Sequence, residues 1–271
     1  MTQRIIGVNS NCYHGYSIEE ALDGIAAAGF RFVELTATKG WTEHVFPDQS
    51  FARLCAVQDR LSRLGLTAFS MSGHCNLMDV ERLPDFVTNM RLAHFFGCRY
   101  LVSSVGEAHL KDKATASDER LSQNLKALVP ELEKYDLTLV LELHGAHATG
   151  EVMQKIVRLV ASPRVKINYD TANCLFYGGV KAEEDVDVCM QEIAYLHLKD
   201  KAGAPAEWDF PALGKGYVDF ETIFRKLASA RNNAPFSVEI EFTKAGPKNL
   251  CEVNEAVRLS AEYLRQHGFS L

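Results

Sequence analysis

Four short stretches carry residue types that could hold a metal ion or move a proton: LVLELHG (139–145), INYDTAN (167–173), YLHLKDK (195–201) and FSVEIEF (236–242). Each begins as an apolar, β-rich run and ends on polar side chains. Residues two apart on a strand share a face. That pairs Glu142 with His144, Asn168 with Asp170, His197 with Lys199, and Glu239 with Glu241. Strands buried on both sides should read as near-continuous apolar runs, and four in a row break that rule near the same end. Carboxylates facing one mouth repel each other, and a shared cation removes the difficulty. Three carboxylates and one imidazole suit a hard or borderline divalent ion. Mn²⁺ or Mg²⁺ comes first, then Co²⁺ or Zn²⁺, with two of six positions left for substrate oxygens. At the eighth strand both Glu239 and Glu241 qualify.

The elements that would position these residues alternate along the chain. Strand-like runs occupy 4–9, 31–36, 66–72, 98–104, 137–143, 165–170, 193–199 and 236–242, with amphipathic helical stretches between them. SIEEALDGIAAAG (17–29) has Ser17 as N-cap with Glu20 three residues on. FARLCAVQDRLSRLG (51–65) stops at Gly65. Further helical patterns cover 117–136, 150–162, 219–231 and 249–268. Glu142 to Asp170 is 28 residues and Asp170 to His197 is 27, each about one strand–helix–strand step. Eight such units in this length predict a single (β/α)8 TIM barrel spanning 1–271 as one domain, its functional residues at the C-terminal ends of the strands. An open doubly wound sheet is disfavoured because no GxGxxG follows the first strand.

Composition narrows the function classes. The formal charge is −6, with no basic stripe, which argues against nucleic acid. No apolar run is long enough to span a bilayer, and MTQRIIGVNSN lacks a signal-peptide pattern, so the expected compartment is the cytoplasm and no membrane partner is expected. Seven cysteines without a CxxC pair read as reduced thiols.

Taken with PALGKGYVDF (211–220), the four stretches resemble the xylose isomerase-like TIM-barrel superfamily of sugar phosphate isomerases and epimerases, in the family's order and over nearly the whole chain. The resemblance implies metal ligation by Glu142, Asp170, His197 and Glu239. It selects Glu239 over Glu241 because Glu239 fits the family's strand-eight ending, and it implies that Glu142 and Glu239 also act as the acid–base pair. Two features depart from the family. Many relatives carry a substrate-contacting His where this chain has Asn173, and the Arg of the epimerases that follows the strand-seven His has no match after His197.

The chemistry expected is removal of a proton next to a metal-polarised carbonyl, giving an enediolate. Its return on the opposite face is epimerisation, its return to the neighbouring carbon isomerisation. Loss of hydroxide from the same intermediate would make a keto-polyol dehydratase. An apurinic endonuclease-like hydrolase is disfavoured: His74 and His109 could mimic extra zinc ligands, but EWDFPAL lacks the Asp-x-His pair. A non-catalytic sugar-binding barrel would not need two flanking bases. His74, His144, Asn173 and Lys199 are the expected substrate contacts, with Trp208 and Phe210 over the site. Glu34, His109 and His147 read as ordinary strand-end or loop residues. LGKG (213–216) is not a phosphate loop, and Asp219 reads as a helix cap. The expected partners are a small-molecule carbohydrate substrate and, at most, further copies of the chain in a homo-oligomer.

Overall fold

The structure is a computed structural model and describes residues 4–106, 110 and 113–271. His109 lies outside the described residues. Eight parallel strands form one closed barrel: β1 Ile6–Asn9, β2 Phe32–Thr38, β3 Thr67–Ser72, β4 Tyr100–Ser103, β5 Thr138–Glu142, β6 Val165–Asp170, β7 Ile193–Leu198 and β8 Phe236–Val238. Closure comes from β1, which pairs with both β2 and β8. The helices that follow the strands in turn are α1 Ile18–Ala27, α2 Phe51–Leu64, α3 Leu83–Phe95, α4 Asp118–Lys134, α5 Gly150–Val160, α6 Ala182–Cys189, α7 Phe220–Ser229 and α8 Leu250–Gln266. This is the (β/α)8 barrel that the strand spacing predicts.

Local chemistry sets the boundaries. The Ser17 and Glu20 side chains form a reciprocal capping box at the start of α1. Gly65, at φ 67°, closes α2 in the left-handed conformation that a residue with Cβ resists. Asp219 caps α7 by accepting from the Thr222 N–H at 3.0 Å. The apolar stripe of α5 (Met153, Ile156, Val157, Val160) is buried against the sheet, as on the other helices. Most of the apolar core lies between strands and helices. A smaller cluster of Phe69, Val102, Val140 and Tyr195 forms a separate core inside the barrel.

Three elements differ from the sequence reading. The run 236–242 is not one strand. The barrel strand ends at Val238, Phe242 takes a positive φ of 59°, and Phe242–Thr243 pairs antiparallel with Asp209–Phe210. Glu239 and Glu241 therefore project from an irregular segment rather than from alternating strand positions. Helices α3 and α6 have no counterpart in the sequence reading. Buried Asn89 interrupts the apolar stripe of α3, and Glu183, Glu184 and Asp185 crowd the first turn of α6.

The long segment after β7 is held by one carboxylate. Asp200 accepts backbone N–H groups from Lys201 and Gly214 at 2.8 Å, Gly216 at 2.8 Å and Val218 at 3.2 Å. A Cβ on Gly216 would sit 2.2 Å from the Lys201 carbonyl oxygen, which explains glycine there. The LGKG motif thus wraps a carboxylate. This wrapping fixes both ends of the loop carrying Trp208 and Phe210. Asp200→Ala leaves four backbone donors, those of buried Lys201 and of Gly214, Gly216 and Val218, without their acceptor, so urea denaturation should show a loss of about 1–3 kcal/mol. An unchanged midpoint would show that the loop is held otherwise.

Candidate metal centre

The barrel places its polar strand ends together. Glu142 closes β5 and Asp170 closes β6, and His197 in β7 lies in register with Asp170. Glu239 follows β8. All four are buried, and one ligand atom from each lies within 4.8 Å of all the others. His197 Nδ1 faces this point, 3.0 Å from Glu142 Oε1, 3.3 Å from Glu239 Oε2 and 3.9 Å from Asp170 Oδ2.

The cluster fits a divalent cation. Asp170 Oδ1 accepts the Ala172 and Asn173 N–H groups at 2.8 Å each, whereas Oδ2 is buried with no hydrogen-bond partner. A buried carboxylate oxygen without a donor is costly, and a cation shared with the other three ligands would satisfy it. The electrostatics agree. Burial lifts the Asp170 carboxyl well above the usual carboxylate range; Lys199 draws it back, while Glu142 and Glu239 push it further up. Burial also lifts Glu142, but the His197 imidazole outweighs it and takes that carboxyl down to about 2. For His197 burial works against the proton, yet Glu34, Glu239 and Glu142 together hold the imidazole well above its ordinary range. Positive charge at this point is strongly favoured, whoever carries it.

Glu34, which the sequence reading set aside as an ordinary strand-end residue, belongs to this centre. It is fully buried in β2, with both carboxylate oxygens 3.1 Å from His197 Nε2. The Nε2 proton is therefore donated to Glu34, leaving the Nδ1 lone pair for the ligand point. Tyr195 Oη donates to Glu34 Oε2 at 2.7 Å and contacts Ser70 Oγ at 2.6 Å. Asn9 Nδ2 bridges Glu34 and Glu239, at 3.4 and 3.0 Å. The register between β2 and β3 shifts between Val33 and Glu34, and that between β6 and β7 shifts between Ile167 and Asn168. Irregularities of this kind re-aim side chains beside functional sites.

Above the centre lies a cavity of about 200 Å³, small beside the ~300–1,000 Å³ of drug-sized sites. His74, His144, Asn173, Lys199 and Trp208 all line it. His74 Nδ1 accepts the Ser104 N–H at 3.0 Å, so its Nε2–H points to Glu142 Oε2 at 3.4 Å. His144 packs against Tyr177, and burial takes its imidazole down to about 4, keeping it neutral. Asn173 Nδ2 donates to the Leu143 carbonyl at 3.0 Å and to Glu142 Oε1 at 3.4 Å, so the amide supports Glu142 as well as facing the cavity. Lys199 Nζ lies 3.3 Å from Glu239 Oε2, contacts Glu241 Oε2 and sits 4.6 Å above the Phe210 ring. Lys201 turns away to the Ala202 and Ala204 carbonyls, and His147 bridges to His144 through the backbone.

Residues 22–267 match the family model described as xylose isomerase-like TIM barrel. No curated protein matches the sequence. Among solved structures the chain is similar to a D-psicose 3-epimerase determined in the presence of D-fructose, at 12% identity and TM-score 0.77 over 97% of this chain and 98% of that one. It is also similar to a D-allulose 3-epimerase from Methylomonas sp., at 18% identity and TM-score 0.76 over 97% and 98%. A probable 3-DHS dehydratase from Bacillus anthracis gives 13% identity and TM-score 0.72 over 97% and 99%. At these identities the likeness establishes a shared fold. No helix among the described residues is long and apolar enough to cross a membrane.

The Glu34–His197 contact generates a test that needs no substrate. Glu34→Gln keeps the shape but removes the charge behind the imidazole. Mn²⁺ affinity, measured by competition with a chelator, should fall about 10–100-fold. Wild-type affinity in a folded variant would show that Glu34 does not support the ligand.

Proposed function

The chain belongs to the xylose isomerase-like TIM barrel family, and we propose that it is a divalent-metal-dependent isomerase or epimerase of a sugar or related polyhydroxy ketone. The observation that carries this reading is the convergence of Glu142, Asp170, His197 and Glu239 beneath a small polar cavity. Those four would hold the ion, Mn²⁺ or Mg²⁺ by the hardness of the donor set. A bound divalent ion supplies electrophilic polarisation of a substrate carbonyl and its neighbouring hydroxyl.

The protein's own groups do the rest. Each glutamate turns one oxygen toward His197 Nδ1 and keeps a second. Glu142 Oε2 faces the His74 Nε2–H, and Glu239 Oε1 accepts from Asn9 and Asn11. One carboxylate takes the α-proton, and the C–H electron pair enters the enediolate. The other returns a proton to the opposite face for epimerisation, or the neighbouring carbon receives it for isomerisation. His74 and Asn173 hold Glu142 in place. Lys199, pinned between Glu239 and Glu241, presents its ammonium to a substrate oxygen. His144, neutral at pH 7, offers a hydrogen bond without adding charge.

The solved neighbours named as 3-epimerases support the reading through the shared fold, and the one named as a dehydratase keeps loss of water as the second outcome of the same enediolate. The test is solvent deuterium exchange into D-psicose, D-fructose and D-tagatose with Mn²⁺-loaded protein. Exchange should appear at the carbon next to the carbonyl. Glu142→Gln and Glu239→Gln should each abolish it in variants shown to retain metal, because an amide cannot act as base. Normal exchange in either metal-replete variant would remove that residue from the mechanism. Release of water in place of exchange would move the assignment to dehydration.

A further inference from the structure

Next to the small cavity lies a second and larger one of about 540 Å³. The two are continuous in their walls: Asn11, Trp41, Trp208 and Glu241 border both. The groove is closed on its far side by the segment from Phe242 to Pro247, directly after the irregular end of β8. Trp41 and Trp208 are the sequence's two tryptophans, and both stand where the cavities meet. Each is held. The His14 ring stacks on Trp41 at 4.0 Å and 13°, and Trp41 Nε1 donates to Asn11 Oδ1 at 2.9 Å. Trp208 packs edge-on against Phe176 and Phe210, at 5.7 and 5.1 Å. Large, rigid aromatic surfaces beside polar edges are what a pyranose or furanose ring needs, with its C–H faces against the indole and its hydroxyls on polar groups.

The charge pattern disfavours a phosphate on the reacting unit, in the small cavity. The groove carries Lys244, whereas among the described residues lining the small cavity the one lysine or arginine is Lys199, whose single charge faces both Glu239 and Glu241. A phosphate there would meet the carboxylates of Glu142, Glu239 and Glu241.

We propose that the groove is a second sugar subsite, so that the substrate is a glycosylated ketose with its uncharged reacting unit over the metal centre and its second ring between Trp41 and the 242–247 segment. This rests on the function proposed above and adds the class of substrate. Tryptophan fluorescence reads the site directly, because both indoles border it. D-fructose, D-fructose 6-phosphate and four keto-disaccharides would be titrated into Mn²⁺-loaded protein: turanose, lactulose, leucrose and isomaltulose, which extend fructose at O3, O4, O5 and O6. At least one disaccharide should bind about tenfold or more tightly than D-fructose, the scale of a buried aromatic anchor, and the phosphate ester should show no such gain. The ratio of the two affinities should collapse toward one in Trp41→Ala, read through Trp208. It should collapse likewise in Ala245→Trp, which fills the groove from the far wall. Fructose binding with no gain for any disaccharide would overturn the subsite and leave the metal-dependent reading intact. So would a gain that survives Ala245→Trp. Binding by none of the sugars, with metal bound, would overturn both.

Discussion

A histidine held between carboxylates on both of its nitrogens is the constraint on which this barrel's mouth depends. Glu34 takes the Nε2 proton from behind, and Glu142, Asp170 and Glu239 surround Nδ1 in front. Burying that many acids around one imidazole would be strongly unfavourable if any were left unpaired. The surrounding structure can be read as the means of pairing them. Asn9 supplies an amide to Glu34 and Glu239, Tyr195 supplies a hydroxyl to Glu34, and Asp170 collects two backbone donors. The remaining deficit of positive charge lies in front of Nδ1, where the cluster fits an ion.

The same constraint explains why three of the four clustered residues sit on strands and the fourth, Glu239, directly follows one. Ligand positions must be reproducible to a fraction of an ångström for a cation to be shared, and ladder register provides that. Asp170 is paired with His197 across β6 and β7, and Asn168 Oδ1 accepts the His197 N–H at 2.9 Å. Tyr195 joins the interior core to the polar layer: its ring packs against Phe69 and its hydroxyl reaches Glu34. Core packing inside the barrel and the orientation of the His197 imidazole are therefore coupled through one side chain.

The fifth, sixth and seventh strands are legible in the sequence because there the polar residues fall at the ends of apolar runs, followed by turn residues. Glu34 carries the same kind of signal, an acid inside the apolar run RFVELT, yet by sequence it reads as an ordinary strand end. Its partner His197 is 163 residues away, and nothing local distinguishes a buried carboxylate from a solvated strand end. A slip of register at Val33/Glu34 decides the matter, and such irregularities leave no periodic trace. The eighth strand failed for a related reason. Alternation through FSVEIEF is sound strand patterning, but Phe242 takes a positive φ and the chain leaves the barrel after Val238. Tertiary demand for two glutamates at one mouth, both reaching Lys199, overrides the pattern. Helix α3 leaves little periodic trace in the sequence because a core position is occupied by a polar residue, buried Asn89, which donates to the Gly73 carbonyl.

The barrel's mouth divides into a charged centre and the cavity walls above it. The four clustered residues and their support come from strands and the residues just after them, tied together by barrel closure, so changes there would be felt through the whole network. The walls of the cavities come from elsewhere: Trp41 beside a two-residue strand, Trp208 from the loop wound around Asp200, and the 242–247 segment from the turn after β8. Such segments can change length and composition without disturbing strand register. A fold shared at below one-fifth identity with proteins named for epimerisation and for dehydration is the expected consequence. In this chain the strand ends gather negative charge around one imidazole, and the loops form the walls of the cavities above it.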